Sequence, residues 1–334
     1  MSVSAAIFGL EGRMPTARER AFFQDVQPWG FILFDRNLGD AQDIRALTEE
    51  LRALTGRNVP ILIDQEGGRV QRLRAPWREW LPPLDFVAGL GVDQAAAAME
   101  LRYRYIAAEL LDLGIDVNCA PMVDVARDDT HAFLRNRCYG MDLQAVAPIG
   151  RAVLRGHLTG GVLPIMKHIP GHGLGLADSH EELPVVDASR TELATDFAPF
   201  AALADCPMAM TAHVTYSAID ADRCATLSRP MIDLIRGEIG FDGLLMTDDL
   251  SMKALGGAFE TRVTQSLEAG CDMILHCNGD MDEMTAIASA TPALSGKAAE
   301  RADAALGARR APEPFDMEAA RAELDRLEGV TAHA

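Results

Sequence analysis

No apolar stretch in this sequence comes near the roughly 20 residues that a membrane-spanning helix needs, although 49% of its 334 residues are hydrophobic. Those residues are therefore expected to fill a core. The N-terminus, MSVSAAIFGLEGRMP, lacks the basic start of a secretory signal and meets Glu11 too soon, so a cytoplasmic protein is expected. Cysteine is sparse: Cys119, Cys138, Cys206, Cys224, Cys271 and Cys277 form no C-x-x-C pair. That spacing argues for reduced core thiols and against a disulfide frame or a thiolate zinc site. Basic residues are in deficit, 31 against 49 acidic for a net charge of −18, which disfavours nucleic acid and anionic membrane as partners. A substrate should be neutral, or have its charge met locally by arginine and lysine. No G-x-G-x-x-G follows the first strand-like run and no Walker loop occurs, so nucleotide binding has little support.

What is present is an alternation of short apolar runs with longer helical patterns. Strand-like runs fall at Ala5 to Gly9, Phe31 to Phe34, Ile61 to Ile63, Ile115 to Ala120, Gly161 to Met166, Met208 to Met210, Leu244 to Met246 and Met273 to Leu275. Helical spacing follows each, as in Asp40 to Thr55, where Leu47, Leu51 and Leu54 share a face. Eight strands each followed by a helix predict an α/β fold, a single (β/α)8 barrel over about residues 5–279. Residues 280–334 hold amphipathic pieces too short for a core of their own and are expected to pack on the barrel as a helical tail, leaving one domain.

The chemistry concentrates where such barrels keep it, just past the strands. Lys167 to His180, KHIPGHGLGLADSH, holds three histidines, an aspartate and a lysine in a loop whose proline and glycines exclude regular structure. Asp64, Asp124, His213, Asp248 and Asp249 also fall at strand ends. Any one could merely cap a helix. Together they indicate nucleophilic or general acid/base chemistry on a polar substrate. His168 and His172 have a zinc-like spacing, but Pro170 and Gly171 prevent the helix that would align their rings, and no metal or cofactor is expected.

Three motifs in order, Asp64 to Arg72 (DQEGGRVQR), Lys167 to His180, and Thr247 to Met252 (TDDLSM), resemble the family 3 glycoside hydrolases, in particular their bacterial cytoplasmic β-N-acetylglucosaminidases of cell-wall recycling. The resemblance runs from about Leu10 to Gly279. It implies the same barrel, Asp248 as nucleophile, and His180 with Asp178 as acid/base pair. Asp64, Arg72, Lys167 and His168 match positions that hold the hydroxyls and N-acetyl region of the terminal sugar. Leu134 to Tyr139 aligns a further sugar-binding arginine to Arg137, although Arg135 replaces a usual glycine and leaves two candidates. His172 and His213 read as loop and strand-end structure. The residues alone do not choose Asp248 over Asp249, but alternation along the strand should point the two to opposite sides.

The implied reaction is removal of a non-reducing terminal N-acetylglucosamine by two displacements with retention, from a small carbohydrate such as N-acetylglucosaminyl-anhydromuramic acid and its peptides. A monomer is the expected state. A phosphorylase or β-glucosidase of the same family, or a catalytically idle sugar-binding protein, are the competing readings. The glycine-rich loop is expected to let the His180–Asp178 dyad swing over the sugar.

Overall fold

Residues 4–8, SAAIF, are buried without exception, and so are the other short apolar runs apart from the half-buried Phe34, because each strand has a packed layer on both faces. In the computed structural model, which describes residues 2–177 and 182–331, eight parallel strands close into one barrel in chain order. They are β1 (Ser4–Phe8), β2 (Pro28–Leu33), β3 (Ile61–Ile63), β4 (Val117–Asn118), β5 (Leu163–Ile169), β6 (Met208–Thr211), β7 (Leu244–Asp249) and β8 (Met273–His276). Pairing of Ala6 with Ile274 closes the ring. Successive side chains part to opposite faces: Ala5, Ile7, Ile32, Leu62, Ile165, Met210, Met246 and Leu275 fill the interior, while Ala6, Phe8, Phe31, Ile63, Met166 and Ile274 meet the helices.

The surrounding helices are α1 (Ala17–Val26), α2 (Ala41–Thr55), α3 (Val92–Asp112), α4 (Leu143–Thr159), α5 (Arg190–Ala202), α6 (Arg229–Gly237), α7 (Phe259–Ala269) and α8 (Met281–Ala290). Their limits are chemically marked. Thr16 and Glu19 form a capping box on α1, and Asp40 caps α2, which ends at Gly56 in the left-handed region at φ 64°. His157 of α4 is fully buried, with Nδ1 donating to Val153 O (3.0 Å) and Nε2 accepting from Asn118 Nδ2 (2.9 Å). Asn118 in turn pairs through its amide with both backbone groups of Gln65, fixing the end of β3.

Burial pushes the His157 imidazole down to about 3 and that of His172 down to about 4. Both stay neutral when folded, whereas in the unfolded chain they protonate near ~6.5. As pH falls below that value the unfolded state binds protons first, so stability should drop by roughly 1.4 kcal/mol per pH unit for each ring until its folded pKa is reached. Urea unfolding between pH 7 and 4.5 checks this; His157→Gln should flatten the slope, and an equal slope in that variant would refute the assignment.

Two helices follow the barrel, α9 (Gly296–Gly307) and α10 (Met317–Thr331). Ala302 and Ala305 of α9 pack against the barrel interior from its N-terminal end. There, two buried aspartates do the same work at opposite sides of the ring. Asp116, before β4, accepts from Ile61 N–H (2.8 Å) and pairs with Arg309 (2.7 Å) and Arg52 (3.4 Å). Asp272, before β8, accepts from Leu245 N–H (3.0 Å) and pairs with Arg236 (2.6 Å) and Arg301 (3.0 Å). In each case one arginine comes from the helix before the neighbouring strand, Arg52 from α2 and Arg236 from α6, and one from the tail. Asp272→Ala removes the carboxylate that Arg236 pairs with and leaves Arg301 with Asp242 alone, and should cost about 3–5 kcal/mol, read as a lower urea midpoint. A midpoint unchanged from the parent would mean that the tail pairs contribute no more than surface ion pairs do.

Candidate active site

At the C-terminal ends of the strands lies a cavity of about 330 Å³, bordered among others by Asp64, Arg72, Arg137, Lys167, His168, His172, Asp248 and Asp249. That is the lower end of the range for small-molecule sites. The strand ends carry most of these groups. Lys167 and His168 lie inside β5 and Asp248 and Asp249 inside β7, although the apolar runs suggested that both strands stop earlier.

Sequence alternation also predicted that Asp248 and Asp249 would part, and they do not: both border the cavity. The pairing of β7 with β8 shifts register between Met246 and Asp249, and that of β5 with β6 between Met166 and Ile169, so simple alternation fails at both strand ends. The two aspartates are nonetheless held differently. Asp249 is committed to structure, accepting from Ser251 N–H (3.0 Å), Ser251 O–H (2.6 Å) and Cys277 N–H (3.1 Å). Asp248 is half-buried and its Oδ1 accepts from Asp249 N–H (2.8 Å).

Behind them His213, fully buried, donates from Nε2 to Asp249 O (3.0 Å), which leaves Nδ1 to accept from the Thr226 hydroxyl (2.7 Å). Thr226 then accepts from Thr211 (2.8 Å), and Thr211 Oγ1 from Asp248 N–H (3.4 Å). Burial lowers the pKa of His213, in keeping with this neutral, oriented ring.

Across the cavity runs a row of alternating charges. Gln65–Gly67 and Val70–Gln71 pair as a tight hairpin turned by Gly67 (φ 105°) and Gly68 (φ 61°), which returns Arg72 to Asp64. Arg72 donates to Asp64 Oδ2 (3.1 Å) and lies over the Phe34 ring at 5.0 Å. Lys167 donates to Asp64 Oδ1 (2.8 Å) and reaches Glu66 Oε1 (2.6 Å), and Arg137 forks onto Glu66 through Nε (2.9 Å) and Nη2 (2.8 Å). Burial alone would raise the pKa of Asp64, but Lys167 and Arg72 hold it well below the usual carboxylate range. Glu66, buried likewise, is brought down to about 2 by Arg137 and Lys167. Burial opposes the charge of Lys167 too, yet Asp64 and Glu66 keep its pKa raised. All five groups are ionised at neutral pH.

Arg137 therefore borders the cavity, while Arg135 turns away to Asp128, donating to its carbonyl at 2.7 Å. Glu66 was missed in reading the sequence. Its signal was available, because a spacing of two from Asp64 places both carboxylates on one side of an extended chain.

Asp124, fully buried, receives His168 Nδ1 (2.7 Å) and His172 N–H (2.6 Å), tying the start of the histidine loop to β4's connection. Gly171 O accepts from the Tyr216 hydroxyl and Gly173 O from Thr130 Oγ1 (2.9 Å). Asp178 and His180 lie outside the described residues. Among the described residues no group of three or more His, Cys, Asp or Glu side chains is placed to hold a metal ion, and no helix is long and apolar enough to cross a membrane.

Acidic and basic side chains converging on the C-terminal face of a closed parallel barrel define a barrel enzyme. Residues 6–306 match the family model described as glycosyl hydrolase family 3 N terminal domain, and the chain belongs to that family of glycoside hydrolases. It is 36% identical over 304 residues to a beta-hexosaminidase of Chromobacterium violaceum, covering 89% of this chain and 85% of that protein. Native NagZ of Neisseria gonorrhoeae superposes with a TM-score of 0.84 at 30% identity, over 100% of this chain and 98% of that one. The same Neisseria protein in complex with N-trifluoroacetyl-D-glucosamine matches at a TM-score of 0.84 and 29% identity, with the same coverage of both chains.

Proposed function

We propose that this glycoside hydrolase is a retaining exo-β-N-acetylglucosaminidase. The observation that carries the reading is the cavity itself, in which Asp248 on β7 shares a one-sugar space with Asp64, Arg72, Lys167, Arg137 and His168, the first four of these tied into one charged row through Glu66. The relatives named beta-hexosaminidase, and a neighbour that binds an N-acylated glucosamine, support the choice of sugar.

In this reading Asp64 accepts hydrogen bonds from sugar hydroxyls, Lys167, Arg72 and Arg137 donate to sugar oxygens, and His168, with Nδ1 on Asp124, presents Nε2. Asp248 attacks the anomeric carbon as His180 protonates the departing oxygen. Water deprotonated by the same His180 then frees the sugar from Asp248, so two inversions give retention. An imidazole with an unperturbed pKa near ~6.5 suits both roles at neutrality, and Asp178 would orient it and stabilise its protonated form. The natural substrates are proposed to be N-acetylglucosaminyl-anhydromuramic acid and its peptides.

The test is a panel of aryl β-glycosides assayed with and without phosphate, with the product anomer followed by proton NMR. The N-acetylglucosaminide should be cleaved fastest, without phosphate, and the β-anomer should appear first. A requirement for phosphate would make the enzyme a phosphorylase, and the α-anomer first would exclude the covalent route. Failure to release N-acetylglucosamine from purified muropeptides, with aryl substrates cleaved, would remove the cell-wall assignment.

A further inference from the structure

We propose that Glu66 is a positioning residue of the sugar site, aiming both Lys167 and Arg137 into the cavity from behind, and that Arg102 fixes Glu66 in turn. This rests on the reading above, in which Lys167 and Arg137 hold the sugar.

Glu66 is 1% exposed, and a single oxygen, Oε1, receives both Lys167 Nζ (2.6 Å) and Arg137 Nη2 (2.8 Å). That oxygen is what lets two cations stand side by side. The donor inventory then gives each its aim. Lys167 has three N–H groups, and Asp64 Oδ1 and Glu66 Oε1 take two, so one remains for a ligand. The planar fork of Arg137 spends Nε and Nη2 on the carboxylate, which turns its Nη1 edge to the cavity that it borders. Without Glu66 a guanidinium and an ammonium would lie adjacent in a buried site with no anion between them, and both would splay.

The backbone of Glu66 is as tightly held as its carboxylate. Its carbonyl accepts from Arg102 Nη2 (2.7 Å) and from the Tyr103 hydroxyl (3.2 Å). Arg102 is itself fully buried, has no carboxylate partner among the described residues, and lies 5.1 Å from the ring centroids of both Trp80 and Phe86. A side chain at residue 67 would put its Cβ 1.7 Å from Arg102 Nη2, so Gly67 is the residue that allows this approach. A buried arginine without a counter-ion is costly, and here it is spent on one carbonyl of the site and that of Leu81 (2.9 Å).

Glu66→Gln keeps the shape but sets an amide N–H₂ against one of the two cations. It should lower kcat/KM for an aryl β-N-acetylglucosaminide by about 10- to 100-fold, through a higher KM and weaker inhibition by N-acetylglucosamine, with kcat changed less. Because Glu66 acts through its partners, the effect should shrink by at least threefold when Glu66→Gln is added to Arg137→Met or to Lys167→Met, whereas a general loss of stability would leave the effects multiplicative. Should Glu66→Gln not fold, Glu66→Asp keeps the charge but is one methylene too short to serve both cations, and the same comparison applies. If Arg137→Met and Lys167→Met leave KM and inhibition unchanged, the sugar-site reading fails. If they weaken binding while the Glu66 variants multiply independently with both, or have no effect, only the positioning role is overturned.

Discussion

Asp248→Asn is expected to lower turnover of every substrate by at least about 10⁴-fold while N-acetylglucosamine still binds nearly as well as before. The amide has almost the shape of the carboxylate and can still accept from Asp249 N–H through its oxygen, so the strand end should keep its conformation. What it cannot do is form the ester to the anomeric carbon. Asp249→Asn should act differently. That carboxylate holds the turn after β7 through Ser251 and Cys277, so the variant should lose stability and only part of its activity. Steady-state kinetics, product inhibition and thermal unfolding of the two variants make the comparison, with labelling by a 2-fluoro sugar as the direct check. Label on Asp249 would exchange the two roles and require the β7 end to rearrange on binding.

His180→Ala should divide substrates by leaving group. General acid catalysis contributes roughly 10²- to 10⁴-fold, and an activated phenol needs little of it, so formation of the glycosyl-Asp248 intermediate should survive comparatively well with aryl substrates. Its hydrolysis still needs a base. The variant should release a burst of phenol and then turn over slowly, and azide, a nucleophile with no proton to lose, should restore turnover and yield the β-azido sugar. Natural substrates, with a poor leaving group, should suffer at both steps. Asp178→Ala should follow the same pattern more weakly, since it leaves the ring in place. Equal slowing of aryl and natural substrates, with no burst and no azide product, would move the proton to another group. His172 would be examined first, and its buried position with a lowered pKa makes it a poor donor at neutrality.

The sequence by itself determined the barrel and pointed to most of the ionisable residues that border the cavity. Strands buried on both faces read as short apolar runs with no polar alternation, and helices between them read as amphipathic stretches, because each pattern records how many sides of an element meet the core. Ionisable residues at the ends of those runs, among them Asp64, Lys167, His168 and Asp248, could be placed on one face of the ring for the same reason. Tertiary structure decided what depended on contacts across the chain. Arg137 forks onto a carboxylate 71 positions away and Arg135 does not, a choice made by how the segment after β4 packs on the hairpin at residues 65–71. The register shifts in β5 and β7 come from pairing with neighbouring strands, and they bring Asp248 and Asp249 to the same cavity against the alternation of an isolated strand. Glu66 gains its place only where Lys167, Arg137 and Arg102 converge on it from β5, the segment after β4 and α3, since the position of a buried charge is set by partners that the local sequence does not contain.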